Sequence, residues 1–149
     1  MKIYIGCDHQ GARIKDDIIK YIKSNGFDVE ASLLENNDTD DYPDFAYDVC
    51  EKVLANNGLG ILICGTGIGM SIAANKIDGI RCARVVDEDD AFTCKNHNGA
   101  NVIAFSVNLP KEEIEKIIDA FLVTKNPNEE RHLRRISKVE QIERGTFHV

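Results

Sequence analysis

The run Gly60-Ile-Leu-Ile-Cys64-Gly65-Thr66-Gly67-Ile68-Gly69-Met70-Ser71-Ile-Ala-Ala-Asn75 restricts the fold of this chain more than any other stretch. Ile61 to Ile63 has the length and composition of a strand buried on both faces, the kind found in parallel sheets. Three glycines on alternate positions follow at once, and then a helix-forming segment. Glycine lets the backbone turn sharply and leaves its N–H groups bare. At the start of a helix those groups and the dipole make a cradle for an anion. Cys64 stands at the mouth of that cradle. Strand, glycine turn and helix in this order form one βα unit.

The same unit recurs along the chain. Lys2 to Cys7 reads as a strand and ends in Gly6-Cys7-Asp8-His9. A helix follows with Ile14, Ile18, Ile19 and Ile22 on one face, stopped by Asn25-Gly26. Phe27 to Leu33 reads as a second strand and Glu35 to Asp41 as a polar loop. Tyr42-Pro43 opens a helix carrying Phe45, Ala46, Val49, Val53 and Leu54 on one side. After the central strand, a helix is expected from about Ile68 to Lys76, then a fourth strand over Ile80 to Val86. Asp87 caps a short helix that ends near Asn96-His97-Asn98-Gly99. Asn101 to Phe105 is the fifth strand. Pro110 to Val123 and Pro127 to about Arg144 are the last two helices, the second capped by Asn126. Strands alternating with helices over short connections predict a five-stranded parallel sheet covered on both faces, a three-layer α/β/α sandwich of the Rossmann-like kind. Ligands in such sheets bind beyond the carboxyl ends of the strands, where strand order reverses. Asp8-His9, Cys64 to Gly69 and Asp87 all follow strands. His97 sits before one, so its place on that rim is the less secure.

With 149 residues, 43% of them hydrophobic and 29% charged, the chain is expected to be a single soluble domain spanning 1–149. No apolar run is long enough for a bilayer, and the N-terminus reads as a strand, not a signal peptide. The net charge of −7 disfavours a nucleic-acid partner. Cys7, Cys50, Cys64, Cys82 and Cys94 are odd in number and form no CxxC pair, which fits a reducing, cytoplasmic setting better than a disulfide framework or zinc ribbon.

Several residues have both a chemical and a structural reading. A free cysteine is usually a small buried hydrophobe, but only Cys64 is followed by a glycine loop feeding a helix, a setting that favours the thiolate. Cys7 also ends a strand and could pair with Cys64 on oxidation. The loop is GxGxG rather than GxGxxG and lacks the Lys-Ser/Thr end of a P-loop, so it suits a small anion or an enediolate oxygen and not a nucleotide. His9 and His97, beside Asp8 and Asn98, could exchange protons and orient hydroxyls around one thiol. The other chemistry open to Cys64, His9 and His97 is metal binding, which no short ligand spacing supports. Arg131 and Arg135 share a helix face. They either pair with Glu129, Glu130 and Glu140 or form a fork for phosphate. Two arginines, two histidines and a thiol together suit a phosphorylated small molecule.

Five segments, in order over nearly the whole chain, resemble the B-type ribose-5-phosphate isomerases and the related galactose- and allose-phosphate isomerases. They are Ile-Gly-Cys-Asp8-His9-Gln-Gly, Thr39-Asp-Asp-Tyr42-Pro43, Ile63-Cys64-Gly-Thr-Gly-Ile-Gly-Met-Ser-Ile-Ala-Ala-Asn-Lys76, His97-Asn98-Gly-Ala-Asn101-Val and Arg131-His132-Leu-Arg-Arg135. The resemblance implies a cofactor-free and metal-free aldose–ketose isomerase of the non-oxidative pentose phosphate pathway, acting on ribose 5-phosphate and ribulose 5-phosphate. It implies that Cys64 is the base, that Thr66 and the backbone of Gly65, Gly67, Ile68 and Gly69 hold the enediolate, and that His97 helps open the ring. Asp8 and Asn98 would bind hydroxyls, and His9, Arg131 and Arg135 the phosphate. It also implies a homodimer whose sites draw on both subunits, which fits an overhanging C-terminal helix, and it leaves open whether two dimers join as a tetramer. A related hexose phosphate, or a non-catalytic sugar-phosphate-binding module, is the alternative. One departure stands out: where the family usually carries an arginine after the fifth strand, this chain has Asn108, leaving Lys111 or Arg134 as candidates to replace the charge.

Overall fold

The computed structural model describes residues 1–149. Its strands are β1 (Lys2–Cys7), β2 (Asp28–Ala31), β3 (Leu59–Cys64), β4 (Cys82–Arg84) and β5 (Val102–Ser106). Between and after them run α1 (Ala12–Ser24), α2 (Tyr42–Asn56), α3 (Ile68–Ala74), α4 (Glu88–Asn98), α5 (Lys111–Val123) and α6 (Glu130–Glu143). All pairings are parallel, in the order β2-β1-β3-β5-β4. Every residue of the central β3 is buried, which is why its sequence is an unbroken apolar run.

Because side chains alternate across a strand, the sheet divides the core in two. Ile3, Ile5, Ile61, Ile63, Ile103 and Phe105 face α1, α4 and α5, where Ile18, Ile22, Ile117 and Phe121 meet them. Tyr4, Leu62 and Ala104 face α2 and α3, against Phe45, Val49, Val53 and Met70. Each such large side chain contributes about 2 kcal/mol by leaving water. The α/β/α sandwich expected from the sequence is thus the observed fold. No helix is long and apolar enough to cross a membrane.

The differences from the sequence reading are local. Leu54 is exposed, and Cys50 takes its place on the buried face of α2. The expected strand over Ile80 to Val86 shrinks to Cys82–Arg84, because Ile80 N–H closes a turn on the Ile77 carbonyl and Arg81 N–H bonds the Asn101 side chain. Asn75 ends α3 early and clamps β4, accepting from Cys82 N–H and donating to Cys82 O, each at 2.8 Å. The last helix starts at Glu130 with Glu129 as its cap, so Asn126 and Pro127 lie in the preceding segment. Cys7 and Cys64 cannot pair. Cys7 is in register with Ile63 and shares its face, whereas Cys64, one residue on, belongs to the opposite core.

From β1 the chain steps outward to β2 and then returns to place β3 on the other side of β1. Strand order therefore reverses between β1 and β3, and the crevice at their carboxyl ends is where an open α/β sheet takes its ligand.

Candidate active site

Two loops meet at that crevice. The first, after β1, is folded by Asp8, whose backbone N–H bonds Ile63 O at 3.2 Å and so ties it to β3. The Asp8 carboxylate is buried; Oδ1 accepts from the N–H groups of Gln10 and Gly11, both at 3.0 Å, and starts α1. Oδ2 makes no hydrogen bond within the chain and is the oxygen left for a ligand. His9 follows, half exposed, with Nδ1 2.7 Å from Asp40 Oδ1. That hydrogen bond and the nearby charge hold His9 above the ordinary histidine range, so its cation is favoured. Burial pushes the Asp40 carboxyl up, but hydrogen bonds from His9, Asn36 and backbone N–H groups outweigh this and keep it below the usual range.

The second loop follows β3. Cys64 is 5% exposed, and its Sγ accepts the Gly67 N–H at 3.1 Å. A backbone N–H aimed at the sulfur is a contact that a thiolate accepts better than a thiol does. Gly67 has φ of 76°, and a Cβ there would lie 2.9 Å from Phe105 Cα, which leaves glycine as the residue that fits. Thr66 sits exposed at the tip; its Oγ1 accepts from Ile68 N–H at 3.2 Å, and its carbonyl accepts from Arg84 Nε at 3.0 Å. The loop leans on β5 through Ser106 Oγ, which donates to Gly65 O at 2.7 Å. Burial pushes Cys7 and Cys94 to about 11 and Cys50 to about 12, and it raises Cys82 as well.

Asp8, His9, Cys64, Gly65, Thr66, Gly67, Ile68 and Gly69 therefore share one rim. His97, Asn98, Arg131 and Arg135 do not join them. A helix connecting parallel strands runs back along the sheet, so α4 carries His97 and Asn98 to the amino-terminal end of the strands, beside the start of β5. There His97 stacks on His132 with ring centroids 4.3 Å apart. His132 is buried with Nε2 unpartnered, and burial, with His97 and Arg131 nearby, keeps it below the ordinary range. Arg131 Nε donates to Glu129 at 2.8 Å, the structural pairing that its sequence allowed. Arg135 lines a groove with Asn98. The expectation that His9 and His97 flank one thiol fails within a single chain.

The sequence reading also missed Asp40 and Arg84. Asp40 lay inside the matched segment Thr39 to Pro43, but its bond to His9 spans 31 positions, and Arg84 carried no motif.

A sequence model of the ribose/galactose isomerase family matches residues 3–139. The chain belongs to this family. A ribose-5-phosphate isomerase B of Mycobacterium tuberculosis is 35% identical over 147 residues, covering 97% of this chain and 91% of its own length. Among solved structures, ribose-5-phosphate isomerase B of Clostridium thermocellum superposes with a TM-score of 0.92 at 37% identity, covering 97% of this chain and 99% of that one. The Mycoplasma genitalium ribose-5-phosphate isomerase B, solved with bound ribulose-5-phosphate, gives a TM-score of 0.89 at 40% identity over 96% of each chain. TM-scores of this size mean that the two solved structures and this chain share one fold.

Proposed function

We propose that this chain interconverts D-ribose 5-phosphate and D-ribulose 5-phosphate through an enediolate. The observation that carries this reading is Cys64, buried at the switch point with a loop N–H on its sulfur, in a family member whose structural neighbour is described with ribulose-5-phosphate bound. In this reading the Cys64 thiolate removes the proton alpha to the carbonyl and returns it to the neighbouring carbon. Thr66 and the backbone of Gly65 to Gly69 hold the oxygens on which charge develops; one such donor is worth about 3 kcal/mol in a transition state. Asp8 Oδ2 takes a sugar hydroxyl and His9 the phosphate.

The groups at the other end of the sheet then come from a second copy. His97 of one chain would assist ring opening over the Cys64 of another, with Asn98, Arg131 and Arg135 arriving on the same surface. Exposed apolar side chains support a homodimer: Leu133, Val139 and Ile142 on α6, and Ile68 and Ile72 on α3. Five unpaired cysteines fit a reducing cytoplasm. The reaction is the one that links the two pentose 5-phosphates in non-oxidative sugar metabolism, carried by one isomerase unit over residues 1–149.

The test is ketose formation from ribose 5-phosphate by the purified protein in excess EDTA, with allose 6-phosphate and galactose 6-phosphate in parallel. Rapid turnover of the ribose ester, undiminished by chelation, is expected. No ketose from it would remove the reading.

The His9–Asp40 pair sets a pH dependence. Its folded-state pKa is raised, so the pair's contribution is complete below the ordinary histidine value of about 6.5 and is lost as pH climbs through the raised value. Asp40→Asn is expected to move the alkaline rise in KM to lower pH. A KM–pH profile that does not move would show that His9 does not carry the charge for the phosphate.

A further inference from the structure

The turn between β5 and α5 borders the glycine loop, since Asn108 Nδ2 lies 3.5 Å from Gly65 O. Its tip carries no cation of its own. Lys111 is directed along α5 to Glu115, 3.8 Å away, and Arg134 lies on α6 at the other end of the sheet. The cation at this corner comes instead from α1. Arg13, in the first turn of that helix, donates from Nη2 to Asn108 Oδ1 and from Nε to Gln10 O, each at 3.3 Å. The guanidinium is thus bracketed between the loop after β1 and the turn after β5. Gln10, on one side, reaches within 3.5 Å of His9 Nε2; Asn108, on the other, reaches Gly65.

Its charge is not neutralised. Arg13 forms none of the chain's ion pairs, and two of its five N–H donors are engaged, both by neutral oxygens. A planar fork with three open donors, held in place and lying on the same rim as a histidine paired with Asp40, has the geometry and charge to take a phosphate dianion.

We propose that Arg13 is the guanidinium which this chain contributes to the phosphate of its sugar substrate, with Asn108 as the bracket that aims it. The proposal rests on the isomerase reading, for it takes the phosphate to lie on the His9 side of Cys64. It assigns to Arg13 a part in substrate binding and selectivity for phosphorylated sugars. The reacting carbons belong to Cys64, so the effect falls on KM more than on kcat.

The experiment compares the untouched protein with Arg13→Ala and with the double variant Arg13→Ala, Asn108→Arg. Inorganic phosphate is titrated by calorimetry, and KM is measured for ribose 5-phosphate and for unphosphorylated D-ribose. In Arg13→Ala, the Kd for phosphate and the KM for ribose 5-phosphate are each expected to rise about tenfold, the size of one charge-assisted hydrogen bond. D-ribose should be handled as before, and the double variant should regain phosphate affinity by restoring a guanidinium at the same corner. A change in phosphate Kd smaller than about twofold, or an equal rise in KM for D-ribose, would overturn the assignment. If the untouched protein does not isomerise ribose 5-phosphate, the activity reading falls, while the phosphate titration still decides for or against Arg13.

Discussion

Cys64→Ala is expected to lower kcat for ribose 5-phosphate by roughly 10³-fold or more while leaving a folded protein, since a positioned general base contributes on the order of 10² to 10⁴. The thiol is the one titratable side chain whose polar atom receives a backbone N–H of the glycine loop. Removing it takes away the base and leaves the Gly67 N–H without its acceptor in a buried site. That unpaired donor should cost about 1–3 kcal/mol of stability, visible as a lower melting temperature with an unchanged circular dichroism spectrum. Cys64→Ser separates the two effects. Its hydroxyl can still accept the N–H, so stability should recover, but it is a far weaker base and the rate should not. A serine or alanine variant within about tenfold of the normal rate would exclude Cys64 as the base.

The second large effect concerns the division of the site. Cys64→Ala and His97→Ala homodimers should both be nearly inactive, and an equal mixture, unfolded or diluted apart and reassembled, should regain activity. In a randomly reassembled mixture about half the dimers are mixed, and each has one composite site with neither lesion, so recovery should approach roughly a quarter of normal. Recovery would also not depend on which variant carried an affinity tag. If the mixture does no better than its parts, Cys64 and His97 do not act across an interface, and the homodimer with shared sites falls. The geometry gives this test its force: α4 leaves the carboxyl rim at Glu88 and delivers His97 to the far end of the sheet, stacked on His132.

What could be read from the sequence follows the same physical division. β1, β3 and β5 were legible because strands buried on both faces are apolar throughout, and their carboxyl ends could be assigned functional loops by a general rule of parallel sheets. Asp8, His9 and the Cys64 loop fell where that rule puts them. β4 was overextended because an edge strand is held by side chains such as Asn75 and Asn101 as much as by its ladder, and apolar composition does not report those bonds. Leu54 was misplaced because helical spacing fits several faces equally, and only the packed sheet chooses Cys50 over it. Asn126-Pro127 has the chemistry of a helix start, but the chain runs on extended to Glu129 before it turns. At the site, the Arg13–Asn108 and His9–Asp40 contacts join residues 95 and 31 positions apart, so no local pattern announces them. The departure at Asn108 was visible; the side chain that answers it was not.

The sheet order also has a consequence for how the protein is made. β3 is flanked by β1 on one side and by β5 on the other, and β5 is the last strand in the chain. As synthesis proceeds from the amino terminus, β3 can pair with β1 early but waits for Val102–Ser106 to cover its other edge. At ordinary rates that wait lasts several seconds, during which an apolar strand edge is open to wrong partners. The wall of the Cys64 loop formed by Ser106 and Phe105 arrives with the same strand. The nascent chain therefore carries an open apolar edge until just before the Cys64 loop gains its wall.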